Sequence, residues 1–107
     1  MPSYTAPVRD LRFVLNELLA ITDCTEIPGY GDVSDDLIDA VLDGGAKIAE
    51  EIWAPLNQVG DEEGCRFENG VVRTPTGFKE AFDAWNEGGW NAIATSPDWG
   101  DQGLPGV

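Results

Sequence analysis

Carboxylates are the chemistry this sequence offers in quantity: 20 acidic side chains stand against 6 basic ones, with no histidine. Acids at set intervals can chelate calcium, and Asp39 to Glu50 gives part of such a frame. Acids fall at loop positions 1 and 5, Gly44 at position 6 and Glu50 at position 12. Val41 and Lys47, however, stand at positions 3 and 9, and position 3 needs an oxygen ligand, so the frame does not read as a calcium loop. Paired carboxylates do acid–base work only in a cleft that separates their pKa values. The run Asp61-Glu62-Glu63 carries no sign of one and reads as solvated loop surface. Cys24 and Cys65 form no CxxC and have no histidine to activate them, so they read as free, partly buried thiols. Without histidine the usual general base and zinc ligand are missing. Gly29-Tyr30-Gly31 and Gly100-Asp101-Gln102-Gly103 lack the spacing of a phosphate-binding loop. These residues assemble no self-contained catalytic, cofactor or metal site.

A net charge of -14 argues against nucleic acid or an anionic membrane as partner, since both would repel it. The stretch from Met1 to Arg9 lacks the basic-then-apolar pattern of a signal peptide. No apolar run approaches the length of a membrane span. These features point to a cytoplasmic protein. At 107 residues the chain fits one small domain with a modest core. Its 13 glycines and 7 prolines cluster after Asn57 and after Gly88, which predicts a looser second half.

The elements that would position these residues are mainly α: about three helices with one short β-hairpin. Leu11, Val14, Leu15, Leu18 and Leu19 repeat at helical spacing, with Phe13 off the stripe. Either Asp10 caps this helix or it begins at Pro7. A second helix opens at Ser34 as N-cap, with Asp35 and Asp36 in the first turn. Its apolar phase, from Leu37 to Trp53, survives the Gly44-Gly45 pair, which suggests one helix with another backbone packed close there. Pro55 should end or kink it, leaving 57–64 as a loop. Asn69-Gly70 predicts a two-residue hairpin turn between Cys65-Arg66-Phe67 and Val71-Val72-Arg73, leaning on the helices for stability. Thr74 and Pro75 read as cap and first residue of a third helix with an aromatic face of Phe78, Phe82 and Trp85 around Ala81, stopped by Gly88-Gly89. That aromatic face reads as core. Beyond the short apolar turn Trp90 to Ala94, the tail has no periodicity and is expected to have nothing to pack against.

Read as strings, the residues say more. The opening Pro2-Ser3-Tyr4-Thr5-Ala6-Pro7-Val8-Arg9-Asp10-Leu11-Arg12-Phe13-Val14-Leu15 is the first. Ala54-Pro55-Leu56-Asn57, Gly60-Asp61-Glu62-Glu63-Gly64-Cys65 and Asn69-Gly70-Val71-Val72-Arg73-Thr74-Pro75-Thr76-Gly77-Phe78-Lys79-Glu80-Ala81 follow. Gly88-Gly89-Trp90 and Gln102-Gly103-Leu104-Pro105 complete the series. In this order, and over essentially the whole chain, they resemble the start of a bacterial subgroup of FAD-dependent acyl-CoA dehydrogenases with an N-terminal extension. The subgroup is similar to enzymes acting on methylthiopropanoyl-CoA. Two positions depart from the pattern: Asp101 stands where the family's closing loop usually has glycine, and Gly106 where histidine usually follows Leu-Pro.

The resemblance implies an extension helix and loop over 1–33 and part of the family's N-terminal helical domain over 34–107, stopping before the helix that lines the acyl pocket. It implies a full protein that uses FAD to oxidise the Cα–Cβ bond of an acyl-CoA, usually as a homo-oligomer. The flavin contacts and the catalytic glutamate would lie in other domains. No catalytic, cofactor or metal residue is therefore assigned here, and the chain alone is expected to bind no FAD and to be inactive. Gly100, Gly103 and Pro105 are carried over as a structural loop near the pocket entrance. Partners would be the remaining dehydrogenase domains and, for the full enzyme, the acyl-CoA substrate. The alternative is an autonomous acidic interaction module without activity.

Overall fold

A computed structural model describes residues 3–107, so Met1 and Pro2 of the opening string lie outside the described residues. Helix α1 (Val8–Arg12) runs without a break into a π-helical turn, Phe13–Leu18. Pro7 precedes it as cap, and Asp10 lies inside the first turn, so the second of the two starting points fits better. A 3-10 turn at Ile21–Asp23 follows a left-handed Ala20.

Helix α2 (Asp35–Ile48) starts where its sequence indicates. Ser34 is extended, and its Oγ accepts the Leu37 N–H at 3.2 Å, satisfying one of the first turn's orphan donors. The helix passes through Gly44-Gly45, as the apolar phase predicts. It also passes Pro55, against expectation: a π-helical turn (Ala49–Trp53) leads directly into α3 (Ala54–Glu63). Proline is tolerated in the first turn of a helical segment, and the wider turn before it relieves the pairing its missing N–H would break. The expected loop over 57–64 is therefore helix up to Glu63, ended by Gly64 at φ 65°.

Strands β1 (Arg66–Glu68) and β2 (Val71–Arg73) pair antiparallel, Phe67 opposite Val72. Asn69 and Gly70 both take positive φ, 52° and 77°, as a type I′ turn requires. All six strand residues are exposed, so the hairpin projects instead of leaning on the helices. Helix α4 (Phe78–Glu87) begins later than Thr74-Pro75 suggests. Gly77, at φ 88°, breaks the backbone between Pro75 and Phe78 and acts as cap, and a Cβ there would meet Leu56 Cδ2 at 2.7 Å. Gly89, left-handed at φ 74°, follows its end.

α1 lies along α2. The Arg12 guanidinium donates to Asp39 at 2.6 Å and to Asp43 at 2.8 Å, and the Ala6 N–H donates to Glu50 Oε1 at 2.7 Å. α4 packs against α3, with Phe78 over Gly60. Trp85 bridges Trp53 and Trp90, at ring-centroid distances of 4.9 and 5.5 Å. Trp90 in turn covers Gly44-Gly45, so an indole, not a second backbone, explains the small residues there. The tail is also seated. Gln102, Gly103 and Leu104 N–H groups donate to the carbonyls of Ala92, Thr95 and Ile93, each at 2.9 Å, so it does pack.

The result is mainly helical but thin. Among the described residues, Ile21, Ile38 and Ala81 are the buried hydrophobics, and no large side chain is fully enclosed. The principal extents are 55 × 36 × 17 Å, with a Cα radius of gyration of 17.3 Å. A compact chain of this length would have a radius of about 13 Å. The accessible surface is 7804 Å², against about 5,800 Å² for a folded monomer of this mass. A slab little thicker than one helix leaves its apolar faces uncovered.

Candidate functional site

Three apolar grooves mark where the slab is unfinished. The first, of about 260 Å³, lies between the π-helical and 3-10 turns that follow α1, helix α2 and the tail; Leu15, Ile21, Ile38, Val41, Ile93 and Leu104 line it. The second, about 450 Å³, has Trp53, Leu56, Phe78 and Phe82 in its walls. A third, about 520 Å³, shares Trp53 and Asn57 with the second and reaches Ser3 and Tyr4. Phe82 is 58% exposed and Phe78 39%, so the aromatic face read as core is a half-open wall.

The loop singled out from the sequence closes the first groove. Gly103 takes φ 66°, and a Cβ on it would stand 2.8 Å from Pro97 Cδ, so only glycine fits the crossing. Gly100 is left-handed at φ 87° and ends the 3-10 turn Pro97–Trp99. Pro105 lies beside Leu104 in the groove wall. The structure thus brings Gly103 and Pro105 to one crossing and leaves Gly100 exposed. Asp101 is half-buried and Gly106 lines the groove. The contributions of Ile93 and Leu104 escape sequence reasoning, since the backbone bonds that seat them leave no periodic signal.

The charged groups act as surface clamps. Arg12 is held above its ordinary pKa first by its hydrogen bond to Asp39, with the charges of Asp39 and Asp43 adding to it. Asp39 and Asp43 belong to the calcium-like frame, which is helical, and their carboxylates serve Arg12. Lys79 is raised by its hydrogen bond to Asp83, one turn on. Glu63 is lowered, first by the Thr76 backbone N–H and then by the Thr76 hydroxyl, at 3.0 and 2.9 Å. This pair ties the end of α3 to the turn before α4 and straddles the hairpin. Both cysteines are free: Cys24 is half-buried, with Sγ 3.6 Å from the Ala20 carbonyl oxygen, and Cys65 is exposed.

No family model matches the chain. Across 105 residues, 98% of its length, it is 35% identical to the 3-methylmercaptopropionyl-CoA dehydrogenase of Ruegeria pomeroyi, of which this is 18%. It is also 33% identical over 91 residues to a butyryl-CoA dehydrogenase of Syntrophomonas wolfei, covering 81% of the chain and 15% of that protein. The chain is related to a segment of acyl-CoA dehydrogenases. It spans less than a fifth of the length of these curated relatives. The first groove offers apolar walls rather than reactive groups. Among the described residues, none lining the first groove carries a charged side chain or a side-chain hydrogen-bond donor. Such a lining does not fit FAD, whose phosphates call for cations or helix N-termini. Among the described residues no helix is long and apolar enough to cross a membrane.

Proposed function

We propose that this chain is the N-terminal helical part of a flavin-dependent acyl-CoA dehydrogenase, and that its role there is structural. Residues 1–33 act as an extension strapped to the helical unit 34–107 by Arg12 and Glu50. The helices wall the acyl-binding cleft and keep water from the reacting carbons, while the flavin and the proton-abstracting carboxylate come from the remaining polypeptide. The loop of Gly100, Gly103 and Pro105 sits at the cleft's entrance. The assembled protein is cytoplasmic and oligomeric.

One observation carries this reading. A chain that aligns over 98% of its length with a dehydrogenase segment also exposes apolar faces that a self-sufficient domain would bury. The excess surface favours the segment over an autonomous acidic module, which would be compact.

The test uses the Ruegeria relative lacking the matching stretch, with this chain supplied in trans. Reduction of an electron-accepting dye with acyl-CoA as donor is the readout. The truncated relative alone should be inactive, and adding the chain should restore turnover. Neither association nor turnover at micromolar concentrations would refute the proposal.

A further inference from the structure

The projecting hairpin is two-faced although nothing covers it. Side chains alternate along a strand, so Phe67 and Val72, paired opposite each other, share one face. Arg66, Glu68, Val71 and Arg73 share the other. Phe67 is 74% exposed and Val72 63%. An apolar face backed by a mostly charged one is the pattern of a ribbon that lies on a surface, and a two-stranded hairpin standing alone is marginal in water. The connections of this arm favour movement. Gly64 holds φ 65° and ψ 178°, a conformation essentially confined to glycine, and open space surrounds it. Gly77, at φ 88°, forms the other connection, and Pro75, buried at the arm's foot, marks the point about which it turns. Side-chain hydrogen bonds tie the arm to α3 through one group. The Glu63 carboxylate accepts from the Thr76 N–H at 3.0 Å and from the Thr76 hydroxyl at 2.9 Å.

The second groove opens beside the arm's foot. α3 leads into the hairpin and α4 leads out of it, lying side by side in opposite directions, with Phe78 over Gly60 and Trp85 against Trp53. Phe67, three residues from Gly64, stands about 10 Å up the arm, with Val72 at the same height. Leu56 lies about 12 Å back from Gly64 along α3, and Phe82 about 8 Å beyond Gly77 along α4. Both line the groove. Folding the arm over therefore sets Phe67 and Val72 between Leu56 and Phe82 and leaves Arg66, Glu68 and Arg73 facing water. We infer that the hairpin is a hinged lid for the second groove, latched in a raised position by Glu63 and Thr76. Hydrogen bonds to a carboxylate and the burial of one Phe–Val pair are contributions of similar size, so loss of the latch tips the balance towards closure. A raised lid leaves the groove free for another molecule, and a lowered one fills it. The lid is built from this chain alone, so it stands or falls independently of the proposed function.

The experiment is solution NMR of the whole chain at neutral pH, with circular dichroism confirming that each variant keeps its helices. Nuclear Overhauser contacts from the Phe67 ring and the Val72 methyls to Leu56 and Phe82 report the lowered lid. They should be weak or absent in the unmodified chain and should strengthen several-fold in Glu63→Ala, which removes both latch bonds. Thr76→Ala removes the hydroxyl bond alone and should give an intermediate rise. Phe67→Ser, added to Glu63→Ala, removes the apolar wedge and should abolish the Val72 contacts. If Glu63→Ala shifts the Thr76 amide resonance and no contact to Leu56 or Phe82 appears, the freed arm has no seat on the groove and the inference falls. Contacts equally strong in the unmodified chain and in Glu63→Ala would show that the pair latches nothing and would also overturn it. Contacts that grow with protein concentration would place a second copy's hairpin in the groove, which contradicts a lid acting within one chain.

Discussion

Gly44 and Gly45 are neighbours in α2 and meet the same indole, yet alanine should act oppositely at the two positions. In a helix interior, replacing glycine by alanine removes a conformational-entropy penalty of about 1 kcal/mol. At Gly45 the new Cβ would sit 3.7 Å from Trp90 Cη2 and Cζ3, an ordinary contact, so the full gain should survive. At Gly44 it would sit 3.0 Å from Trp90 Cζ2 and 3.2 Å from Cη2. The indole would have to retreat by several tenths of an ångström, but it is stacked on Trp85 with centroids 5.5 Å apart, so movement disturbs the tryptophan cluster. Overpacking of this kind costs about 1–3 kcal/mol, which cancels or outweighs the helix gain. Gly45→Ala should therefore be the more stable of the two variants by about 1–3 kcal/mol. Urea titrations followed by circular dichroism and tryptophan fluorescence would measure the difference. Equal stabilisation by both alanines would show that Trp90 is not seated on the glycine pair and would refute the packing argument.

Ser34→Ala should destabilise α2 by about 1 kcal/mol, since the Leu37 N–H loses its acceptor; the same urea titration reads it. Arg12→Ala should release α1 from Asp39 and Asp43, and amide hydrogen exchange should accelerate over 8–18 but not in α4. Glu63 titrates below its ordinary value of 4.5 because Thr76 donates to the charged form. A depressed pKa contributes stability above the unfolded value, and that stability is lost as pH falls through the folded pKa. Acidification below about pH 4.5 should thus loosen the clasp and shift the Thr76 amide resonance, and Glu63→Gln should abolish that pH response.

The legible parts of this fold are those whose cause is local. Ser34-Asp35-Asp36 satisfies and complements a helix start within one turn, Asn69-Gly70 supplies two positive φ values side by side, and Gly88-Gly89 ends a helix. The sequence is less legible where a distant or compensating feature decides the outcome. Pro55 reads as a stop unless the π-helical turn before it is known, and no residue type announces such a turn. The following stretch, with Asp61-Glu62-Glu63, is too polar to show a stripe, although Pro55 in a first turn was itself a start signal. Thr74-Pro75 gave way to Gly77 because the chain turns against Leu56. The tail's seat depends on backbone bonds to residues 92–95, which leave no pattern in side-chain types. The absence of histidine was plain from composition. The first groove was not, because its walls come from segments more than fifty residues apart.

Small-angle X-ray scattering of the monomeric chain tests the central claim most directly. A layer shaped to cover other domains should keep a radius of gyration near the 17.3 Å of its Cα trace. A value of about 13 Å would mean that the helices close on one another and leave no face for a partner, which would contradict the account.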